Sequence, residues 1–361
     1  MKLTIDPKLL ADTVTAAARS LPQRPLIPVL SGLLLEATDD QLTVSAFDYD
    51  ITHRGRAAAD IAEPGRILLP GRVLAEVAKS LPTGVFVEVT ATGTEATLTC
   101  GRAEFELPTL PVDDFPTLPE PPDPAGTVDG DVFVTAVHQV ATACSADDTL
   151  PMLTGIRIDA DGDTLTLAAT DKYRIAVRDL SWQPATAGAL GKLLPGRMLH
   201  DITRDLGRGP VTLAFDDQLA AFITDIRRTT IRLIDEQYID YRARVSLDTP
   251  IIARVDAPAL ADAVKRVALI AERNTTIRLS FTAGEVLLQA GGADIGRGSD
   301  VAACELNGGD IEIAFQSKYL LDALNAIDGQ AHIGMTEPHQ PALITSEDGA
   351  YRNLTMSVRV A

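Results

Sequence analysis

Cysteine is scarce in this chain: Cys100, Cys144 and Cys304 are three in 361 residues, far apart and odd in number. That excludes a disulfide framework and a paired-thiol metal site, and fits a reducing cytoplasm. Basic charge is also short. Lysine and arginine number 32 against 50 aspartates and glutamates, a formal charge of −18, too acidic for a general coat on nucleic acid or membrane. No apolar run reaches ~18 residues, and Met1 to Asp6 has no basic-then-apolar signal region, so neither a membrane span nor secretion is expected. The nucleophile turn G-x-S-x-G, the phosphate loops G-x-x-x-x-G-K-[ST] and G-x-G-x-x-G, and C-x-x-C are all missing. His53, His138, His200, His332 and His339 form no metal-ligand spacing. Asp159, Asp161 and Asp163 resemble a calcium loop only superficially, because the glycine falls at the fourth place and no acid closes the twelfth; a hairpin turn is expected. No cofactor, metal or enzymatic activity is predicted. The constellation Asp48, His53 and Asp171 would need a pocket of convergent groups to alter that reading.

With 46 % hydrophobic and 23 % charged residues, the chain is a folded protein, and its length fits two or three domains at ~100–200 residues each. Self-similarity fixes the number. Pro28-Val-Leu-Ser-Gly-Leu33 returns as Pro151-Met-Leu-Thr-Gly-Ile156, 123 residues on, and Leu69-Pro-Gly-Arg72 returns as Leu194-Pro-Gly-Arg197. A weaker third copy is Phe315 to Lys318. Each unit reads in one order. A first helix has apolar residues three and four apart: Leu10, Thr13, Val14, Ala17; then Val137, Val140, Ala141, Cys144; then Leu260, Val264, Val267. A hairpin with an acidic or glycine turn follows, then more strands and a second helix. The second helices carry Val73, Leu74, Val77, Leu81; then Met198, Leu199, Ile202, Leu206; then Tyr319, Leu320, Ala323, Leu324, Ile327. Pro116 to Asp131 holds five prolines and reads as a stiff, extended segment. The expected boundaries are domain 1 over 1–118, a linker over 119–130, domain 2 over 131–246 and domain 3 over 247–361.

Two helices against hairpin-connected strands imply an α+β unit with an antiparallel sheet, repeated three times. A tandem arc of sheets leaves unpaired edges at its ends, which a dimer closing a ring would remove. Basic residues gather on the helices, namely Arg72, Lys79, Arg197, Arg204, Lys265, Arg266 and Lys318, whereas acids crowd the hairpins and loops. A helix-lined surface of that kind would touch a phosphate backbone weakly and without reading bases.

The runs Asp148 to Gly155 (DTLPMLTG), Ala169 to Val177 (ATDKYRIAV) and Met356 to Arg359 (MSVR), in this order and spacing, make the chain resemble the bacterial sliding clamps, the β subunits of DNA polymerase III holoenzyme. Arg178 to Trp182 (RDLSW) has an actinobacterial wording. The resemblance covers the whole chain. It implies a non-catalytic replication processivity factor in the cytoplasm, on the nucleoid: a head-to-tail homodimer whose six domains encircle duplex DNA regardless of sequence. By resemblance, Arg24, Arg72, Arg197, Lys265, Arg266 and Arg273 face DNA, and Phe105 and Leu107 meet Leu269 and Ile270 across the dimer seam. The family also has a cleft that takes linear peptides of the polymerase III α subunit, the clamp loader and repair polymerases. Carried over, that cleft comprises Leu153, Thr170, Lys172, Tyr173, Arg174, Ile175, Ile239, Arg244, Leu354, Met356, Ser357, Val358 and Arg359.

Three departures fall in this cleft. Ile239 replaces the family's proline, which the first repeat keeps as Pro116; Arg244 replaces an aliphatic residue; Ser357 replaces a proline. An arginine in an apolar wall changes shape and charge and penalises ligands that cannot pair it. The resemblance with these departures implies a specialised clamp copy that resists a cleft-directed cyclic peptide antibiotic. The alternative is a clamp-fold scaffold serving resistance or repair outside general replication.

Overall fold

Asp6 ends the first strand and caps the helix Pro7–Arg19, its carboxylate accepting from the N–H groups of Lys8 (2.8 Å) and Leu9 (3.2 Å). Asp256 does the same for the helix Ala257–Ala268, accepting from Ala259 N–H at 2.9 Å. Both helices have proline in the first turn, where its missing N–H costs nothing. The expected stripe is buried: Leu10, Thr13, Val14 and Ala17 in one, Leu260, Val264 and Val267 in the other. Val73 departs from its predicted stripe and is 50 % exposed, because a neighbour of Leu74 on a helix points about 100° away from it.

The computed structural model describes residues 1–185, 188–270, 276–292 and 296–359. It forms two compact units, Met1–Gly130 with Arg204–Leu233, and Asp131–Thr203 with Ile234–Ala361. Among the described residues the strand ladders within each are antiparallel, as the hairpin connections predict.

The first unit holds a sheet in the order Asp60–Glu63, Lys2–Ile5, Val87–Thr92, Glu95–Cys100, Ala103–Pro108. A second sheet runs Pro124–Asp129, Pro210–Phe215, Leu219–Ile223, Arg227–Arg232, Ile51–Ala58, Gln41–Phe47, Gly32–Thr38, Gly65–Pro70. Helices Pro7–Arg19 and Gly71–Ser80 pack on each other above a core that includes Leu3, Leu33, Leu35, Leu74, Val89 and Leu98. Of the segment read as a linker, Pro124–Asp129 is a ladder strand, with Val128 opposite Val211. Its prolines end at Pro124, and the remaining N–H groups are free to pair.

In the second unit one sheet runs Leu190–Pro195, Gly155–Asp161, Thr164–Thr170, Arg174–Ser181, Tyr351–Thr355, Ala342–Ser346, Gln330–Met335, Ile251–Asp256, Gly296–Asn307, Gly284–Gly292, Thr276–Thr282, Ile311–Gln316. Equivalent strands make the joins between repeats. Ile51–Ala58 of repeat one pairs with Arg227–Arg232 of repeat two, and Arg174–Ser181 of repeat two pairs with Tyr351–Thr355 of repeat three. Continuous ladders explain why the compact units cut across the second repeat.

The recurring Leu-Pro-Gly-Arg has a packing cause. A Cβ on Gly71 would lie 2.5 Å from Leu21 Cδ1, and one on Gly196 would lie 2.5 Å from Cys144 Sγ and 2.8 Å from the Thr154 carbonyl. In the first two repeats the second helix begins directly after a strand, pressed against its own repeat, where glycine gives the needed room; the third repeat has Ser317 at that place. The hairpin turns recur too: Asp39, Gly162 and Gly284 all have positive φ, at 52°, 59° and 99°. The Asp161-Gly162-Asp163 segment is therefore the hairpin turn predicted for it.

Candidate functional site

In the second unit, two hydrogen-bonded strands and two chain segments surround a cleft of about 270 Å³. Its lining is Leu150, Met152, Leu153, Thr170, Lys172, Ile175, Ile239 and Arg244. The floor is a small core of Ala168, Ile175, Val177, Tyr241, Val245 and Leu354, against which Ile239 packs. Tyr241 anchors the segment bearing Ile239 and Arg244: its hydroxyl donates to Asp159 Oδ2 at 2.8 Å, and Arg242 reaches the same oxygen at 3.1 Å. Burial, and then the Asp159 hydrogen bond, push the Tyr241 phenol above its ordinary range, so it stays a donor.

The strand connection at the cleft mouth is held by local hydrogen bonds. Asp171 accepts from the N–H groups of Tyr173 and Arg174 at 3.0 and 3.1 Å, and Lys172 N–H reaches Thr170 Oγ1 at 3.3 Å. Lys172 takes φ +81°, a left-handed conformation unusual for a residue with a side chain. Tyr173 is 58 % exposed, and its ring lies 6.3 Å from that of Tyr319 in a stack. The C-terminal run docks beside it through Met356 N–H to the Tyr173 carbonyl, 2.9 Å, and Val358 N–H to the Ala314 carbonyl, 2.8 Å.

The fold thus brings Leu153, Thr170, Lys172, Ile175, Ile239 and Arg244 into one lining, with Leu354 beneath and Tyr173 beside Met356. Ser357 and Val358 are half-buried and Arg359 exposed, in the run that follows; Ser357 Oγ is buried without a partner. Arg174 is different. It is 3 % exposed, and its guanidinium is taken by Asp171 at 2.9 Å, Asp322 at 2.6 Å and the Thr142 carbonyl, so it supports the cleft from behind. Arg244 has no ion-pair partner among the described residues and stands exposed at the cleft wall. Leu150 and Met152 were missed as lining residues, although both belong to the run Asp148 to Gly155 that marks the family.

Ion pairs temper the basic helix residues. Lys79 pairs with Glu76 (3.1 Å), Lys265 with Asp262 (3.1 Å), Arg266 with Asp300 (2.7 Å) and Lys318 with Asp322 (2.7 Å). Arg72 donates to the Pro22 carbonyl at 3.1 Å, while Arg24 and Arg197 are exposed without ion-pair partners among the described residues. Arg273 lies outside the described residues. Phe105 is half-buried and Leu107 buried on the edge strand Ala103–Pro108; Leu269 is 84 % exposed, and Ile270 lies over Gly298.

Catalytic alternatives find no support in geometry. His53 is 1 % exposed with Nδ1 3.0 Å from Thr229 Oγ1, and burial above all lowers its pKa to about 4. A roomier hollow of about 570 Å³ borders Cys144, Arg197 and His200, but burial pushes the Cys144 thiol up to about 12, which leaves it protonated and unreactive. Among the described residues, no group of three or more acids, histidines and cysteines could hold a metal, and no helix is long and apolar enough to cross a membrane.

Comparison with known proteins gives a concordant result. Three consecutive family models match: the N-terminal domain of the DNA polymerase III beta subunit over 1–119, its central domain over 127–240 and its C-terminal domain over 248–359. The beta sliding clamp of Streptomyces coelicolor is 42 % identical over 376 residues, covering 100 % of both chains. The beta sliding clamp homolog GriR of Streptomyces muensis is 38 % identical over 371 residues, covering 99 % of each. The solved sliding clamp of Pseudomonas aeruginosa bound to griselimycin superposes with a TM-score of 0.94 at 27 % identity, over 100 % of both chains.

Proposed function

The chain belongs to the DNA polymerase III beta subunit family, the non-catalytic sliding clamps, and we propose that it is a replication clamp whose peptide cleft is tuned against a cyclic peptide. Two head-to-tail copies close a ring around duplex DNA on the nucleoid, with Phe105 and Leu107 of one copy against Leu269 and Ile270 of the next. An encircled duplex cannot leave sideways, so weak phosphate contacts suffice. Arg24, Arg72, Arg197, Lys265, Arg266 and Arg273 supply them, and the ion pairs on Lys265 and Arg266 favour loose contact over tight binding. The cleft tethers linear peptides of the polymerase III α subunit, the loader and repair polymerases by their apolar anchors.

The observation that carries the finer reading is Arg244, an unpaired cation on an otherwise largely apolar wall. A ligand with a carboxylate can pair it, whereas an apolar cyclic ligand must strip water from it without return. The griselimycin bound to the Pseudomonas clamp makes that compound the probe of choice. Arg244→Leu is expected to tighten griselimycin binding by roughly tenfold, the scale of one desolvated polar group, and to weaken an acidic partner peptide. Equal affinities in the parent and the variant would overturn the tuned cleft and leave an ordinary clamp. A solution mass near twice 38.4 kDa, with retention on circular but not linearised DNA, tests the ring itself. A monomer indifferent to DNA topology would favour the clamp-fold scaffold working outside general replication.

A further inference from the structure

The first unit contains a concentration of positive charge that the clamp reading does not use. Along Ile51–Ala58, His53, Gly55 and Ala57 are buried, Gly55 toward Thr13 of the first helix, while Arg54 and Arg56 alternate onto the opposite face. Across the ladder, Arg228 is the direct register partner of Arg54. Like charges directly opposite on a sheet repel and destabilise the pair. Arg228 is held below the ordinary arginine range by burial first, and then by Arg54 and Arg56. The Nε–H of Arg54 is buried with no partner.

Little nearby acid answers this charge. Glu120 lies 3.8 Å from Arg228, but its side chain is 81 % exposed. Asp225 lines the same hollow, and Arg227 is engaged by Asp205, whose backbone carbonyl it reaches at 3.0 Å. Four arginines and one aspartate line a single hollow, an excess of positive charge that a bound anion would offset. The hollow is lined by Arg54, Arg56, Thr224, Asp225, Arg227 and Arg228 with Ile223 and Ile226, and encloses about 100 Å³. That is the space of about three waters and well below the ~300 Å³ of the smallest organic-ligand pockets, so it admits one compact ion or the phosphoryl end of a larger molecule.

We propose that Arg54, Arg56 and Arg228 form a binding site for a single oxyanion of the phosphate class. Guanidinium forks match such an ion with paired N–H donors, and three of them line this one hollow. The face is the one turned away from the first helix of its own unit, toward which Gly55 is directed.

The test is the full-length protein titrated with sodium phosphate against sodium chloride at constant ionic strength, by calorimetry and by thermal unfolding. Saturable one-to-one binding is expected, with an unfolding midpoint that rises with phosphate. Arg54→Gln and Arg228→Gln should each weaken phosphate roughly tenfold or more, the scale of one charge-assisted hydrogen bond. Without phosphate these variants should be at least as stable as the parent, because repulsion is relieved, an effect a merely structural arginine would not produce. Arg102→Gln, an exposed turn residue, serves as control, and Arg56→Gln reads the site should either of the first two fail to fold. Titration with O-phosphoserine in parallel separates the sources: weaker binding than phosphate marks a site for the free ion, and equal or tighter binding marks one for a phosphoryl group carried by a larger molecule. Absence of saturation, or the same response in the parent and both glutamine variants, overturns the proposal.

Discussion

Replacing Arg174 by glutamine should be among the most damaging single changes in the second unit. Its guanidinium holds Asp171 Oδ2 at 2.9 Å, Asp322 Oδ2 at 2.6 Å and the Thr142 carbonyl, and lies 4.5 Å from the centre of the Tyr319 ring. Removing one partner of a buried ion pair costs ~3–5 kcal/mol, because the remaining charge loses its compensation. Here the lower end applies. Asp322 keeps Lys318 at 2.7 Å and Asp171 keeps two backbone N–H groups, so about 3 kcal/mol is expected. The chain's single tryptophan, Trp182, is 6 % exposed in the second unit and reports its unfolding. Urea unfolding followed by its fluorescence should show a lower midpoint with an unchanged slope. Arg174→Lys should recover at most half the loss, since a point charge cannot replace a fork that reaches three acceptors. A glutamine variant within about 1 kcal/mol of the parent, below the cost of even one unsatisfied buried charge, would refute the reasoning.

Two further predictions concern the core. His53 titrates near 4 in the native state against 6.5 in the unfolded chain, so its contribution is complete above pH 6.5 and lost as the pH falls from 6.5 towards 4, where only the unfolded chain takes up the proton. Between pH 6.5 and 5 the parent should lose about 1.5 kcal/mol more than His53→Gln, read by circular dichroism; parallel pH profiles would contradict this. Gly196→Ala forces a methyl against Cys144 and the Thr154 carbonyl and should cost about 1–3 kcal/mol by Trp182 fluorescence.

The sequence by itself determined the repeat, the order of elements within it and the faces that turn inward. Those properties are local: helical spacing buries Leu10 and Val14, proline and aspartate start the helices at Pro7 and Ala257, and Leu-Pro-Gly-Arg recurs in the first two repeats because their second helices begin against their own repeat. The runs DTLPMLTG and ATDKYRIAV were enough to locate most of the cleft lining, since two continuous stretches contribute most of it. Only the tertiary structure decided which charges remain free. Arg174 sits in a cleft motif yet is consumed by Asp322, 148 positions away, and Arg266 is paired to Asp300 on a separate strand. Arg54 and Arg228, unremarkable in sequence, face each other because a ladder joins strands of different repeats. Charge pairing and strand register depend on side chains meeting across long sequence separations, and no local pattern encodes where such chains meet.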